Sequence, residues 1–164
     1  MARAALKELS LDRILFVPTG APRYRQPAVA APEHRLAMLR LAIEGEPRFQ
    51  IDERELAPGA SAYTVDTLRA LRTELGDVNL YLLIGADQYE KLTTWHRPDE
   101  VKRLAKIVVF GRPSIPLKGE ADFVPMHMPV SATDVRKRAA RGEDLSGLMP
   151  PAVARYIAAK GLYA

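Results

Sequence analysis

Two runs of this chain, Leu80-Tyr81-Leu82-Leu83-Ile84 and Ile107-Val108-Val109-Phe110, are apolar without alternation, and each runs into a glycine, Gly85 and Gly111. A strand with one wet face alternates apolar and polar residues. A continuous apolar strand has to be covered on both faces, which is the condition of a parallel sheet flanked by helices. Pro98 to Leu104 between them reads as a helix, so the order is strand, crossover helix, strand. The alternation extends to both sides. Ile14-Leu15-Phe16-Val17, closed by Pro18, and Phe49-Gln50-Ile51 predict two further short strands. Glu33 to Ile43 carries Leu36, Met38, Leu39 and Ile43 at roughly helical spacing, with Pro32 near its start. Thr64 to Leu75 sets Val65, Leu68, Leu71 and Leu75 on one helical face, and Val153 to Ala159 predicts a terminal helix between Pro150-Pro151 and Gly161. Met1 to Leu9 is helical in pattern (Ala4, Ala5, Leu6, Leu9) with no strand or cap before it. Doubly wound folds open with a strand, so one is expected upstream of Met1.

In such sheets ligands collect at the carboxyl ends of strands, where the chain turns into helices. The polar clusters fall there: Pro18 to Arg25, Gly85 to Asp87, Gly111 to Pro113 and Ser131 to Arg136. The last is the most informative. Val130-Ser131-Ala132-Thr133-Asp134-Val135-Arg136 reads as a strand end followed by the first turn of a helix. Free N–H groups and the positive dipole end at such a turn attract anions. Ser131, Thr133 and Arg136 would add two hydroxyls and a guanidinium to several phosphate oxygens at once. An ordinary capped amphipathic helix is the competing reading of the same residues.

Composition narrows the chemistry. The 164 residues suit one domain with a real core, and 48% hydrophobic with 27% charged residues excludes a disordered chain. Without cysteine there are no disulfides, thiolate metal sites or thiol nucleophiles, in keeping with a reducing, cytoplasmic setting. No run approaches the ~18 apolar residues of a membrane span. A net charge of +4 suits phosphorylated small molecules, and basic residues do not interleave with aromatic ones as on a nucleic-acid surface.

The motifs, taken in order, resemble those of the bacterial nicotinate mononucleotide adenylyltransferases, nucleotidyltransferases of the Rossmann-like superfamily. They are Val17-Pro18 with Pro22 and Arg25; Asp52-Glu53-Arg54-Glu55-Leu56; Tyr63-Thr64-Val65-Asp66-Thr67-Leu68; Ile84-Gly85-Ala86-Asp87; Thr94-Trp95-His96; Gly111-Arg112-Pro113; Val130 to Arg136; and Tyr156-Ile157 with Gly161-Leu162-Tyr163. They span essentially the whole chain. The resemblance implies an α/β fold with a Rossmann-like doubly wound parallel sheet in three layers, a single domain over 1–164, and an incomplete first βα unit. It implies transfer of the adenylyl group of ATP to nicotinate mononucleotide, giving nicotinate adenine dinucleotide and pyrophosphate in NAD biosynthesis. The partners are then ATP and nicotinate mononucleotide, with neither nucleic acid nor membrane. Mg²⁺ would accompany ATP without a dedicated protein metal site.

The resemblance also assigns residues. Ser131, Thr133, Arg136, Gly85, Asp87 and Arg25 would contact ATP, with Arg136 as the catalytic cation. Tyr63, Thr64, Trp95, His96 and Arg112 would hold nicotinate mononucleotide. Each has a plainer alternative in the sequence: Trp95 as core, Tyr63 and Thr64 as a helix cap, Asp87 as a turn, and His96, Arg25 and Arg112 as solvated surface. Two departures stand out. The family's His-x-Gly-His motif, which holds the triphosphate and stabilises the transition state, is absent, and His34, His96 and His127 stand singly. The expectation is that it precedes Met1 on an in-frame extension of roughly 20–30 residues, and that these 164 residues alone have little or no adenylyltransferase activity. Pro22-Arg23-Tyr24-Arg25 also replaces the family's Pro-Pro-His and a following basic residue. The alternatives are a sister nucleotidyltransferase of the phosphopantetheine type and a noncatalytic nucleotide-binding relative. The choice between acid and amide mononucleotide and the oligomeric state, a homo-oligomer included, stay open.

Overall fold

The apolar runs form parallel strands, as their lack of alternation requires. The computed structural model describes residues 1–20, 30–111, 122–124 and 130–163. In chain order the elements are α1 (Ala2–Glu8), β1 (Ile14–Phe16), α2 (Pro32–Ile43), β2 (Phe49–Ile51), α3 (Thr64–Leu75) and β3 (Tyr81–Gly85). They continue with α4 (Ala86–Tyr89), α5 (Pro98–Leu104), β4 (Lys106–Phe110), β5 (Asp122–Val124), α6 (Ala132–Ala140) and α7 (Pro151–Ala159). Short 3₁₀ turns cover Arg54–Leu56 and Leu92–Thr94. The described residues divide into two compact units, one of Met1–Leu11 with Ser61–Met128 and one of Asp12–Ala60 with Pro129–Ala164.

The first unit is built on β3-β4-β5, all parallel, with β4 in the middle. Tyr81 pairs with Lys106 and Gly85 with Phe110, and β5 aligns Asp122 with Val108 and Val124 with Phe110. The central position explains why Ile107 to Phe110 are all buried. Val65 and Leu68 of α3, Val101 of α5 and Leu92 join Ile84, Ile107 and Val109 in one apolar cluster. Helix α3 stops at Gly76, whose φ of +69° only a glycine adopts without strain. Helix α5 opens with Pro98, Asp99 and Glu100 and closes with Lys102 and Arg103, matching charge to the helix dipole at both ends. The β5 strand was not legible in the sequence. Asp122-Phe123-Val124 offers neither a run of three apolar residues, as β1 does, nor the apolar-polar-apolar alternation of β2.

In the second unit β1 and β2 pair in parallel, Ile14 with Phe49 and Phe16 with Ile51, and the Phe16 and Phe49 rings meet edge to face at 5.2 Å. Leu145 with Val153 and Ile157 of α7 forms a second apolar cluster, packed by Met38 and Leu41 of α2 and Val135 of α6. His34 on α2 shares a 2.9 Å hydrogen bond with the Tyr156 hydroxyl on α7. Gly20 donates its N–H to the Glu55 carbonyl at 3.1 Å, and a Cβ there would stand 2.5 Å from that oxygen, so this approach requires glycine.

Candidate functional site

In the first unit the polar residues gather where α3 begins and where β3 ends. Helix α3 starts at Thr64 with Tyr63 in the cap position, and neither side chain caps it. The Tyr63 N–H donates instead to Ser61 Oγ at 3.2 Å, and that hydroxyl donates to Asp66 Oδ2 at 2.6 Å. Among the described residues no acceptor meets the N–H groups of Thr64 and Val65. This leaves the first turn of a twelve-residue helix open to an anion. The capping alternative for the Tyr63 and Thr64 side chains therefore does not hold.

The loop after the Leu92–Thr94 turn reaches the same place. The exposed His96 ring lies on the Tyr63 ring, centroids 4.2 Å apart and tilted by 33°. Trp95 packs one side against the apolar cluster while the residue stays half-exposed. Leu92, 2% exposed, anchors the turn below it. At the end of β3, Gly85 has no Cβ where one would come within 2.7 Å of Asp87 Oδ1. The missing side chain gives the Asp87 carboxylate its position, and Gln88 Nε2 donates to Asp87 Oδ2 at 3.2 Å.

An ion-pair network that the sequence analysis did not anticipate ties these pieces together. Arg69 donates to Asp66 Oδ1 at 3.0 Å and makes a two-pronged contact with Glu100, Nε to Oε1 at 2.8 Å and Nη2 to Oε2 at 2.7 Å. Arg97, in a left-handed conformation at φ +52°, adds a 3.5 Å contact to Glu100. Hydrogen bonds from Arg69 hold the Glu100 carboxyl below its ordinary value against the opposing effect of burial. The chain that follows Trp95-His96 is thus pinned to α3. The only sequence signals were the three-residue spacings Asp66–Arg69 and Arg97–Glu100.

In the second unit Ser131 caps α6 as its sequence suggests, accepting the Asp134 N–H at 3.0 Å. Arg136 donates to Thr133 Oγ1 at 3.2 Å and has no carboxylate partner among the described residues. Arg138, two positions on, is committed to Asp134 at 3.1 Å. Arg136 therefore carries a charge without a carboxylate partner among the described residues, one turn into this helix and on the Thr133 hydroxyl. Arg25 and Arg112, with His127, lie outside the described residues. No group of three His, Asp or Glu side chains among the described residues could ligate a metal ion, and no described helix is long and apolar enough to cross a membrane.

Comparison with known proteins bears on this arrangement. The family described as cytidylyltransferase-like matches residues 1–138. A Bordetella petrii protein named "probable nicotinate-nucleotide adenylyltransferase" is 38% identical over 177 aligned residues, covering 99% of this chain and 89% of that protein. A protein of the same name from Thermomicrobium roseum is 36% identical, covering 99% of this chain and 83% of its own length. Among solved structures, nicotinic acid mononucleotide adenylyltransferase of Plasmodium falciparum complexed with NaAD superposes with a TM-score of 0.78 over 98% of this chain and 89% of that one, at 14% identity.

Proposed function

The chain belongs to the nicotinate-nucleotide adenylyltransferases, Rossmann-like nucleotidyltransferases of the cytidylyltransferase-like family, and from that premise we propose how its residues carry adenylyl transfer from ATP to nicotinate mononucleotide. One observation supports the pyridine-nucleotide reading most directly: the uncapped start of α3 at Tyr63-Thr64 lies beside the Trp95-His96 loop, with His96 on the Tyr63 ring. The open N–H groups of Thr64 and Val65 suit the nicotinate carboxylate, and the half-exposed Trp95 suits the pyridine ring. A phosphopantetheine tail offers neither a planar ring nor a carboxylate to this arrangement.

A phosphate oxygen of nicotinate mononucleotide attacks the α-phosphorus of ATP. The new P–O bond forms as the bond to the β-phosphate oxygen breaks, and its electron pair leaves with pyrophosphate. The attacking oxygen is already anionic, so no side chain has to remove a proton. Catalysis then rests on position and on offsetting charge at the leaving group. Arg136, with the Ser131 and Thr133 hydroxyls, is the cationic contact for the polyphosphate. Asp87, held by the space at Gly85, is placed to accept hydroxyls of the nucleotide sugar. Mg²⁺ enters as the counter-ion carried by ATP, and no step is assigned to a protein-bound metal.

Calorimetric titration with nicotinate mononucleotide, nicotinamide mononucleotide and phosphopantetheine tests the assignment without depending on turnover. Binding of nicotinate mononucleotide, with quenching of the single tryptophan, supports it. Binding of phosphopantetheine alone would assign the sister reaction.

A further inference from the structure

The first unit also has a concave site at the other end of its strands. A cavity of about 290 Å³ opens at the amino-terminal edge of β3 and β4 and is lined by Arg72, Asn79, Tyr81, Lys102, Arg103 and Lys106, with Leu80 and Ala105 between them. Tyr81 and Lys106 are the first paired residues of the two strands, whereas Gly85 and Phe110 are the last. The full length of β3 therefore separates this cavity from Gly85 and Asp87.

Four of the lining residues are cationic and none is acidic. Arg72 is fixed: its Nε and Nη2 donate to the Leu104 carbonyl at 3.2 and 2.9 Å, and its Nη1 donates to the Val78 carbonyl. Those oxygens orient the guanidinium but leave its formal charge uncompensated. Lys102 and Arg103 are exposed and have no ion-pair partner among the described residues, and the Lys106 ammonium lies 6.0 Å from the Tyr81 ring centroid. The end of α5 attracts cations, yet a helix terminus supplies only about half an elementary negative charge. Even with Lys106 counted as engaged elsewhere, three whole positive charges converge on that half charge. Like charges gathered without a counter-charge repel, and together they attract an anion.

We propose that this cavity binds a small inorganic polyphosphate, with Lys102, Arg103 and Arg72 as its cationic contacts and the Asn79 amide and Tyr81 hydroxyl as added donors. The size suits a compact ligand, lying at the lower limit of small-molecule pockets. The one aromatic face in the lining is already opposite the Lys106 ammonium, which leaves no stacking platform for a base. Localised charge in a recess also differs from the extended stripe that a nucleic-acid backbone follows.

Inorganic pyrophosphate, titrated into the ¹⁵N-labelled full chain, is the test. The expected result is saturable shifts in the backbone amides of 79–81 and 102–106, weakening as salt is raised. The pair Lys102→Gln and Arg103→Gln should reduce that affinity by about tenfold or more, with only a small drop in melting temperature because both side chains are exposed and contribute to the fold through the end of α5 alone. Arg136→Ala should leave these shifts intact, which separates this site from the nucleotide contacts. Absence of shifts at these amides at millimolar pyrophosphate would overturn the proposal. So would equal shifts in the double variant, or tighter binding of an RNA oligonucleotide at the same amides.

Discussion

Arg136 and Trp95 occupy opposite situations, and their variants should fail differently. Arg136 is a helix-start cation whose side chain, among the described residues, donates to a neutral hydroxyl and to no carboxylate. Its replacement by alanine removes a charge-assisted contact of about 1.5–3 kcal/mol, which predicts roughly 10- to 150-fold weaker binding of MgATP by calorimetry, with little change in melting temperature. Trp95 packs one side on the apolar cluster, so Trp95→Ala should weaken nicotinate mononucleotide and lower stability together, leaving MgATP affinity unaltered. A kinetically and thermodynamically silent Arg136→Ala would remove it from the site. Gly85→Ala gives a third pattern. The new Cβ would come within 2.7 Å of the end of the Asp87 side chain, not of the backbone. Asp87 can swing away at small cost, so thermal stability should change by less than about 1 kcal/mol while nucleotide affinity falls. Equal affinity in Gly85→Ala would mean that the position of Asp87 is irrelevant to binding.

At the scale of elements, the joint between α3 and α5 decides where the Trp95-His96 loop lies. Arg69 spans it with a two-pronged contact to Glu100 and a second contact to Asp66. Because hydrogen bonds from Arg69 lower the Glu100 carboxyl in the folded state, the linkage has a definite sign. Its contribution is complete above the ordinary carboxylate value and is lost as pH falls through the lower folded-state value. The melting temperature should therefore decline from about pH 5 downward, and part of that decline should vanish in Glu100→Gln. The difference between wild type and Glu100→Gln should be greatest near neutrality and close up in acid. A gap independent of pH would show that the charge of Glu100 contributes nothing to the joint. High salt should erode the contribution, since both side chains are partly exposed.

For the molecule as a whole, ligand binding and stability are linked. A ligand that binds only the folded chain stabilises it by about 2.7 kcal/mol at one hundred times its dissociation constant. Nicotinate adenine dinucleotide carries both the pyridine and the adenylyl halves of the reaction. At equal concentration it should therefore raise the melting temperature more than nicotinate mononucleotide or ATP. If the dinucleotide gives no larger shift than the better of its two halves, the pyridine contacts and Asp87, all within the first unit, do not act on one ligand.

The sequence determined what depends on neighbours within a few positions. The bounds of α3 and α5 and the run of β2 follow from apolar spacing, a proline at a helix start and a glycine past a helix end. The cap of α6 follows from Ser131 preceding Asp134 by three positions. The same reading placed polar clusters at strand ends, which pointed to Gly85, Asp87 and Arg136, whereas Tyr63 and Trp95 came into view through the family resemblance alone. It did not reach contacts between elements far apart in the chain. Only the fold brings Arg69 to Glu100 across 31 positions, sets His96 on Tyr63, makes β4 central by adding β5, and turns Arg72 onto the carbonyls of Val78 and Leu104. Local periodicity fixes which face of a helix is apolar, because that is set by 3.6 residues per turn. Which charged side chains then meet depends on how two such faces pack, and no spacing within either helix encodes it.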